Sequence, residues 1–272
     1  VSHVLFDSSR GVSGSINTAL ASNATDSEGL GGSVTTSAQF GGVSAFLSNG
    51  FTLTEGNTDD ARYTNKTSSN YVGFAWKANG ATTTTNDASA TGVGSIDSTY
   101  QANTDAGFSI VQYTGTSSEA QIAHGLSSAP TAPTSTTVNV NTDNTTNESG
   151  DSFIMYCFHN VEGYSRFGLY EGVGNNDGAF VFTGFSPSLV VTKKVGGSGN
   201  YYVNDSARST YNPTSTSAGN LYWDLSNAES GNGMDFLSNG FKIRNTDSSQ
   251  NTDGQDYMYM AFGTAFKYSN AR

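Results

Sequence analysis

The side chains of this 272-residue chain that are able to act as ligands, nucleophiles or acids are few: three histidines, one cysteine and scattered carboxylates. None of His3, His124 and His159 has a second His or Cys at a metal-ligand spacing. His124 stands where a repeated copy of its segment has Thr183, and His159 stands where two other copies have Lys77 and Gly263, so neither position demands imidazole. Cys157 aligns with Ala75 and Ala261, which predicts a buried thiol rather than a nucleophile. There is no G-x-S-x-G nucleophile elbow. Glycoside cleavage needs two carboxylates at one cleft, whereas Glu119, Glu162, Glu171, Asp177 and Asp205 are scattered along the chain. Asp7 and Asp205 each precede an arginine by three residues, Arg10 and Arg208, a spacing at which the carboxylate caps a turn and pairs with the guanidinium across it. This chemistry belongs to scaffold, and no enzyme is expected.

Binding chemistry is better represented. The loops at 141–151 (NTDNTTNESGD) and 245–256 (NTDSSQNTDGQD) carry enough carboxylates and amides to coordinate Ca2+, without EF-hand spacing; no resident metal or other cofactor is expected. The GVGNNDG run at 172–178 joins strand to strand, so it faces no phosphate with a helix N-terminus and reads as a turn. Tyr63, Tyr100, Tyr211, Tyr222 and Trp223 lie in polar, loop-like stretches, where such rings either stack on sugar faces and protein partners or pack beneath a loop. A net charge of −11 with only 12 Lys and Arg excludes sequence-independent nucleic-acid binding and disfavours anionic membranes. No apolar run approaches the roughly 20 residues that span a bilayer as a helix.

The elements that position these residues are repeated. The hexapeptide FLSNGF occurs at 46–51 and again at 236–241, downstream of DSSR (7–10) and DSAR (205–208) respectively. Three apolar strands follow one template, YVGFAWK (71–77), FIMYCFH (153–159) and YMYMAFG (257–263), each led six residues earlier by an asparagine: Asn65, Asn147 and Asn251. A further pair, FSIVQYTG (108–115) and RFGLYEG (166–172), is followed by the Gly-apolar-Pro steps HGLSSAP and TGFSP. Period-two alternation around FLSNGF predicts hairpins, with Asn49-Gly50 and Asn239-Gly240 supplying the positive φ of a type I′ turn. The Asn-led strands are apolar on both faces, as in strands covered by two layers.

Gly at 32 of 272, Pro at 4 and abundant Tyr, Phe, Val and Thr make the class all-β. The polar tracts 78–107 and 129–151 read as linkers or surface loops. The organisation expected is two β-sandwich, jelly-roll-like modules built from a diverged repeat. The first is 1–160, made of a partial repeat 1–77, a linker 78–105 and a short repeat 106–160; the second is 161–272, a complete repeat. In the short repeat TAPTSTTVNVNTDN replaces the strand and basic step seen as SLVVTKK at 188–194. One cysteine permits no internal disulfide, and a Val at position 1 reads as a processed chain or a fragment.

The segments GFSIVQYTGTSSEAQIAHGLSSAP, YCFHNVEGYSRFGLYEGVGNNDGAFVFTGFSPSLVVTKK, DFLSNGFKIRN and YMYMAFGTAFK resemble a repeat-built family of virion surface and tail-fibre proteins of marine tailed phages, including cyanophages. The resemblance covers most of 1–77 and 106–267 and implies virion association and β-rich modules, with no catalytic residue to carry over. It implies a component on the virion exterior or an appendage that binds other virion proteins and a host-surface glycan or outer-membrane protein. Such a component is expected to be a homo-oligomer, with the trimer as the ordinary fibre symmetry. The alternative is a capsid decoration or head-fibre protein whose role is structural.

Overall fold

The computed structural model describes residues 3–12, 18–24, 28–29, 41–55, 64–118, 120–123, 134–140, 142–208, 212, 219–231 and 233–264. The chain divides into two compact units, Val4–Leu20 with Asp26–His159, and Val1–His3 with Ala21–Thr25 and Asn160–Arg272. Both are almost wholly β, as the composition predicts.

In chain order the first elements are β1 (Val4–Leu5), β2 (Leu20–Ala21), β3 (Gly42–Leu47), β4 (Gly50–Thr54), β5 (Thr84–Asn86), α1 (Ala88–Thr91), β6 (Ser98–Asn103), β7 (Phe108–Thr114), β8 (Ala120–Ala123), β9 (Thr137–Val140), α2 (Asn144–Asn147) and β10 (Ser152–Phe158). An antiparallel sheet in the order β10-β7-β6-β5 is the centre of the N-terminal unit. Its two faces bury separate clusters. Val111 and Tyr113 with Phe153, Met155 and Cys157 occupy one, and Phe108 and Ile110 with Trp76, Ile154, Tyr156 and Phe158 occupy the other. The double-sided apolar pattern of FIMYCFH thus has the cause inferred from it.

The C-terminal unit holds β11 (Ser165–Glu171), β12 (Phe180–Phe182), β13 (Pro187–Lys194), β14 (Tyr202–Asp205), β15 (Leu221–Tyr222), β16 (Met234–Leu237), β17 (Gly240–Ile243) and β18 (Asp256–Gly263). They form a five-stranded sheet, β11-β18-β13-β14-β15, and a three-stranded one, β12-β17-β16. One core joins the two sheets: Tyr170, Val190, Tyr257, Tyr259 and Ala261 from the first, Val181, Met234, Phe241 and Ile243 from the second. Tyr257 and Phe241 are fully buried, each removing about 2–3 kcal/mol worth of apolar surface from water.

The structure departs from the sequence pattern in four places. Residues 84–86 and 98–103, within the stretch read as a linker, are strands of the central sheet. Their polar composition is accommodated by side-chain hydrogen bonds: Asp87 caps α1 by accepting from Ala90 N, Asn86 Nδ2 donates to Val93 O, and the fully buried Gln101 bonds Ser8 and Ser9. Second, residues 137–140, in the other polar tract, form β9. Third, residues 71–77 alternate between exposed and half-buried as a strand would, yet belong to no sheet among the described residues. Fourth, the hairpin turns are not type I′. The residues between the strands are Ser48-Asn49 and Ser238-Asn239, and none of these four, nor Gly50 or Gly240, has a positive φ.

Candidate binding surface

The repeated polar residues close into matching hydrogen-bond sets. Asp7 Oδ1 accepts from Ser9 N and Arg10 N, both at 3.0 Å, and Asp205 Oδ1 accepts from Ala207 N at 3.1 Å and Arg208 N at 2.9 Å. Each arginine bonds its aspartate's second oxygen and reaches a carbonyl two residues before that aspartate, Leu5 O or Val203 O. Each also pairs with a glutamate farther along, Glu28 at 3.3 Å or Glu229 at 2.8 Å. The flanking backbone agrees: Ser22 N donates to His3 O as Trp223 N donates to Tyr201 O, both at 3.1 Å. In the N-terminal unit Tyr156 OH adds a bond to Asp7 Oδ2 at 2.8 Å, and burial, then the Asp7 carboxylate, pushes this phenol well above the ordinary range.

The strand-leading asparagines are a second pin. Asn147 and Asn251 are both fully buried. Their Oδ1 atoms accept from Thr116 N at 2.9 Å and Val173 N at 2.8 Å, and their amides donate to the carbonyls of Ser118 and Asn175. A glycine makes the approach feasible in each unit, since a Cβ on Gly115 would stand 2.1 Å from Glu148 O and one on Gly172 would stand 2.3 Å from Thr252 O. The turns before these asparagines also match: Asp143 O accepts from Thr146 N and Asn147 N, and Asp247 O accepts from Gln250 N and Asn251 N. This equivalence aligns β9, which precedes NTD at 141–143, with β17, which precedes NTD at 245–247.

These bonds engage Asn147 of one oxygen-rich loop and Asn251 of the other, and an aspartate of each is held as well. Asp143 Oδ1 caps α2 by accepting from Thr145 N, and Asp247 Oδ1 accepts from Ser249 N. Among the described residues no three His, Cys, Asp or Glu side chains gather as a metal-ion group would. Burial pushes the Cys157 thiol up to about 11. Glu162, Glu171 and Asp177 are exposed, and Asp177 bridges Lys242 at 2.6 Å and Arg244 at 3.1 Å. His159 approaches Thr104 O through Nε2 at 3.2 Å.

Of the five aromatic candidates, Tyr63 and Tyr211 lie outside the described residues, as do Glu119 and His124. Tyr100 and Tyr222 stand in strands rather than loops. Tyr100 is half-buried against the Val111 cluster, and Tyr222 packs on Tyr202 with ring centroids 5.0 Å apart while its hydroxyl meets Ser230 Oγ at 2.8 Å. Trp223 follows β15, half-buried, with its carbonyl accepting from Ser22 Oγ. The structure does not gather these residues into one site.

What it gathers instead is a shallow groove of about 300 Å³ across the end of the β10-β7-β6-β5 sheet. Thr85, Thr99, Gln112, Thr114 and Ser152 share one face of the sheet there and line the groove with Asp97, while Tyr113 and Phe153 of the same strands stack on the opposite face, with ring centroids 5.3 Å apart at 19°. Tyr113 is opposite Phe153 in the β7–β10 register and is locked by its hydroxyl bond to Thr146 O at 2.6 Å. Burial raises its phenol pKa, so it stays a neutral donor. Hydroxyls, one amide and one carboxylate on one face of the sheet end form a polar set able to hold a hydroxylated ligand by several weak bonds. The signal for this site was present in the paired strands FSIVQYTG and FIMYCFH, but the partners Thr85, Asp97 and Thr99 come from the stretch that reads as linker.

No curated protein and no solved structure matches the chain. One family model matches it twice, at residues 1–132 and 129–265, so the repeat read from FLSNGF, the D-S-x-R steps and the paired asparagines is a repeated domain. The boundary between the two matches falls inside the N-terminal compact unit, and β9, α2 and β10, the last of which completes that unit's central sheet, head the second match. Over nearly its whole length, therefore, the chain belongs to the family described as a domain of unknown function, DUF7483.

Proposed function

We propose that this chain is a non-enzymatic structural protein of a phage virion exterior, a fibre or appendage component that holds a host-surface glycan through shallow sites. The observation that carries the glycan part is the groove, where the hydroxyls of Thr85, Thr99, Thr114 and Ser152, the Gln112 amide and the Asp97 carboxylate lie together at one end of the sheet. The repeated charged and amide residues are engaged in scaffold bonds, which supports a structural rather than catalytic role for them. The virion assignment rests on the resemblance of the repeated segments to marine phage fibre proteins. Weak sites multiplied on a symmetric fibre gain avidity without tight individual binding.

The test is binding of the purified protein to host cells and to their isolated surface polysaccharide, with Thr99→Ala and Gln112→Ala as groove variants. Binding that blocks phage adsorption and falls at least about fivefold in each variant, the scale of one lost hydrogen bond, supports the reading. Binding that neither variant weakens moves the site elsewhere, and no binding by the assembled protein removes the receptor role. The acidic charge of −11 and the Ser/Thr-rich composition suit a second reading, a capsid decoration protein. Antibody labelling of virions in the electron microscope separates tail from capsid.

A further inference from the structure

The hexapeptide FLSNGF stands in two different surroundings. In the C-terminal unit β17 has β16 on one side and β12 on the other, and Phe241 is 0% exposed. In the N-terminal unit β4 pairs with β3 alone among the described residues, and Phe46, Leu47 and Phe51 are 41%, 55% and 41% exposed.

The glycine of the hexapeptide tells why it is there. A Cβ on Gly240 would stand 2.1 Å from Val181 O on β12, so glycine admits the backbone of the covering strand. A Cβ on Gly50 would meet nothing within 4 Å. Gly50 lacks a positive φ and lies outside the two-residue turn Ser48-Asn49, so neither the turn nor the packing of its own unit requires glycine. β9 and β17 are equivalent and pair with β8 and β12, while β4, which opens on the same Gly-Phe as β17, pairs with no strand but β3 among the described residues. β12 is itself an edge strand, with Phe180 48% and Phe182 55% exposed.

We propose that β4 of one copy accepts the outer edge of β12 of a second copy, joining the N-terminal unit of one chain to the C-terminal unit of the next. The contact is heterologous, so it closes into a ring or propagates as a filament. It stands independently of the glycan reading, because neither strand lines the groove. The ladder is short, three residues on β12 against five on β4, which places the contact below standard interface size and makes assembly concentration-dependent. Salt strengthens it by screening the repulsion between chains of charge −11.

Sedimentation velocity between about 5 and 200 μM, a range that brackets a contact of this size, reads the association directly. The wild type is expected to shift from monomer to larger species, more so in added salt. Gly50→Val fills open space on a strand, so it is expected to keep the wild-type melting temperature and stay monomeric. Phe180→Lys with Phe182→Lys, and separately Phe46→Glu with Phe51→Glu, are each expected to be monomeric alone and to associate when mixed at low salt. A wild type that remains monomeric throughout overturns the proposal, as does a folded Gly50→Val protein that associates like the wild type.

Discussion

Asn251 shows how one residue orders a whole junction. Its side chain satisfies one backbone donor, Val173 N, and two carbonyls, Asn175 O and Asn245 O, in a place where it is fully buried. Asn251→Ala leaves those groups unpaired, so a loss of about 2–4 kcal/mol in urea unfolding of the C-terminal unit is expected. Asn147→Ala is expected to lower the N-terminal unit similarly. The Asp–Arg pairs behave differently from surface ion pairs, since the Asp7 and Asp205 side chains are 3% exposed. Arg208→Met strands the Asp205 carboxylate and is expected to cost about 3–5 kcal/mol, with the Asp205→Asn, Arg208→Met double variant recovering part of it. At Cys157 burial holds the thiol protonated up to about 11, so Ellman's reagent is expected to react at pH 8 only as fast as the N-terminal unit opens, and immediately in denaturant.

At the level of the element, strands with period-two or double-sided apolar patterns were legible: β4, β7, β10, β11, β16, β17 and β18 all fall within segments singled out by repetition. β5, β6 and β9 were not, because Thr, Ser, Asn and Gln fill them and the buried Gln101 and Ser98 hide the apolar side that a pattern search seeks. That omission also hid half of the groove. The Asn-Gly dipeptide misled for a different reason: the glycine answers to the strand passing over it at Val181, which no local rule reveals. Gly172→Ala tests the same kind of close approach inside one unit, and a loss of at least about 1–3 kcal/mol is expected from its collision with Thr252 O. Lys242 on β17 and Arg244 just beyond it hold the Asp177 carboxyl below its usual range. A depressed folded pKa contributes stability above the unfolded value that is lost as pH falls through the folded one, so Asp177→Asn is expected to flatten the loss of stability below about pH 4. Because Asp177 is exposed, high salt is expected to erase the difference.

For the molecule as a whole, the family boundary near residue 130 and the compact boundary at residues 159–160 lie in different places. Sequence repetition and folding therefore use different units. The five- and three-stranded sheets of the C-terminal unit draw all their strands from residues 165–263, and a fragment spanning 160–264 is expected to fold with a cooperative unfolding transition of its own. A fragment cut at the family boundary instead, 1–132, lacks β10 and is expected to be unfolded or aggregated, because β7 then loses one of its two partners along seven residues and becomes an open apolar edge. The single thiol carries a practical consequence. Two copies of its strand already place alanine at that position, Ala75 and Ala261, so Cys157→Ala provides a cysteine-free background that the fold itself has sampled. A new cysteine at the exposed Leu169 then supplies one addressable handle for gold or fluorophore attachment, so a single label reports the position of each copy wherever the protein is bound.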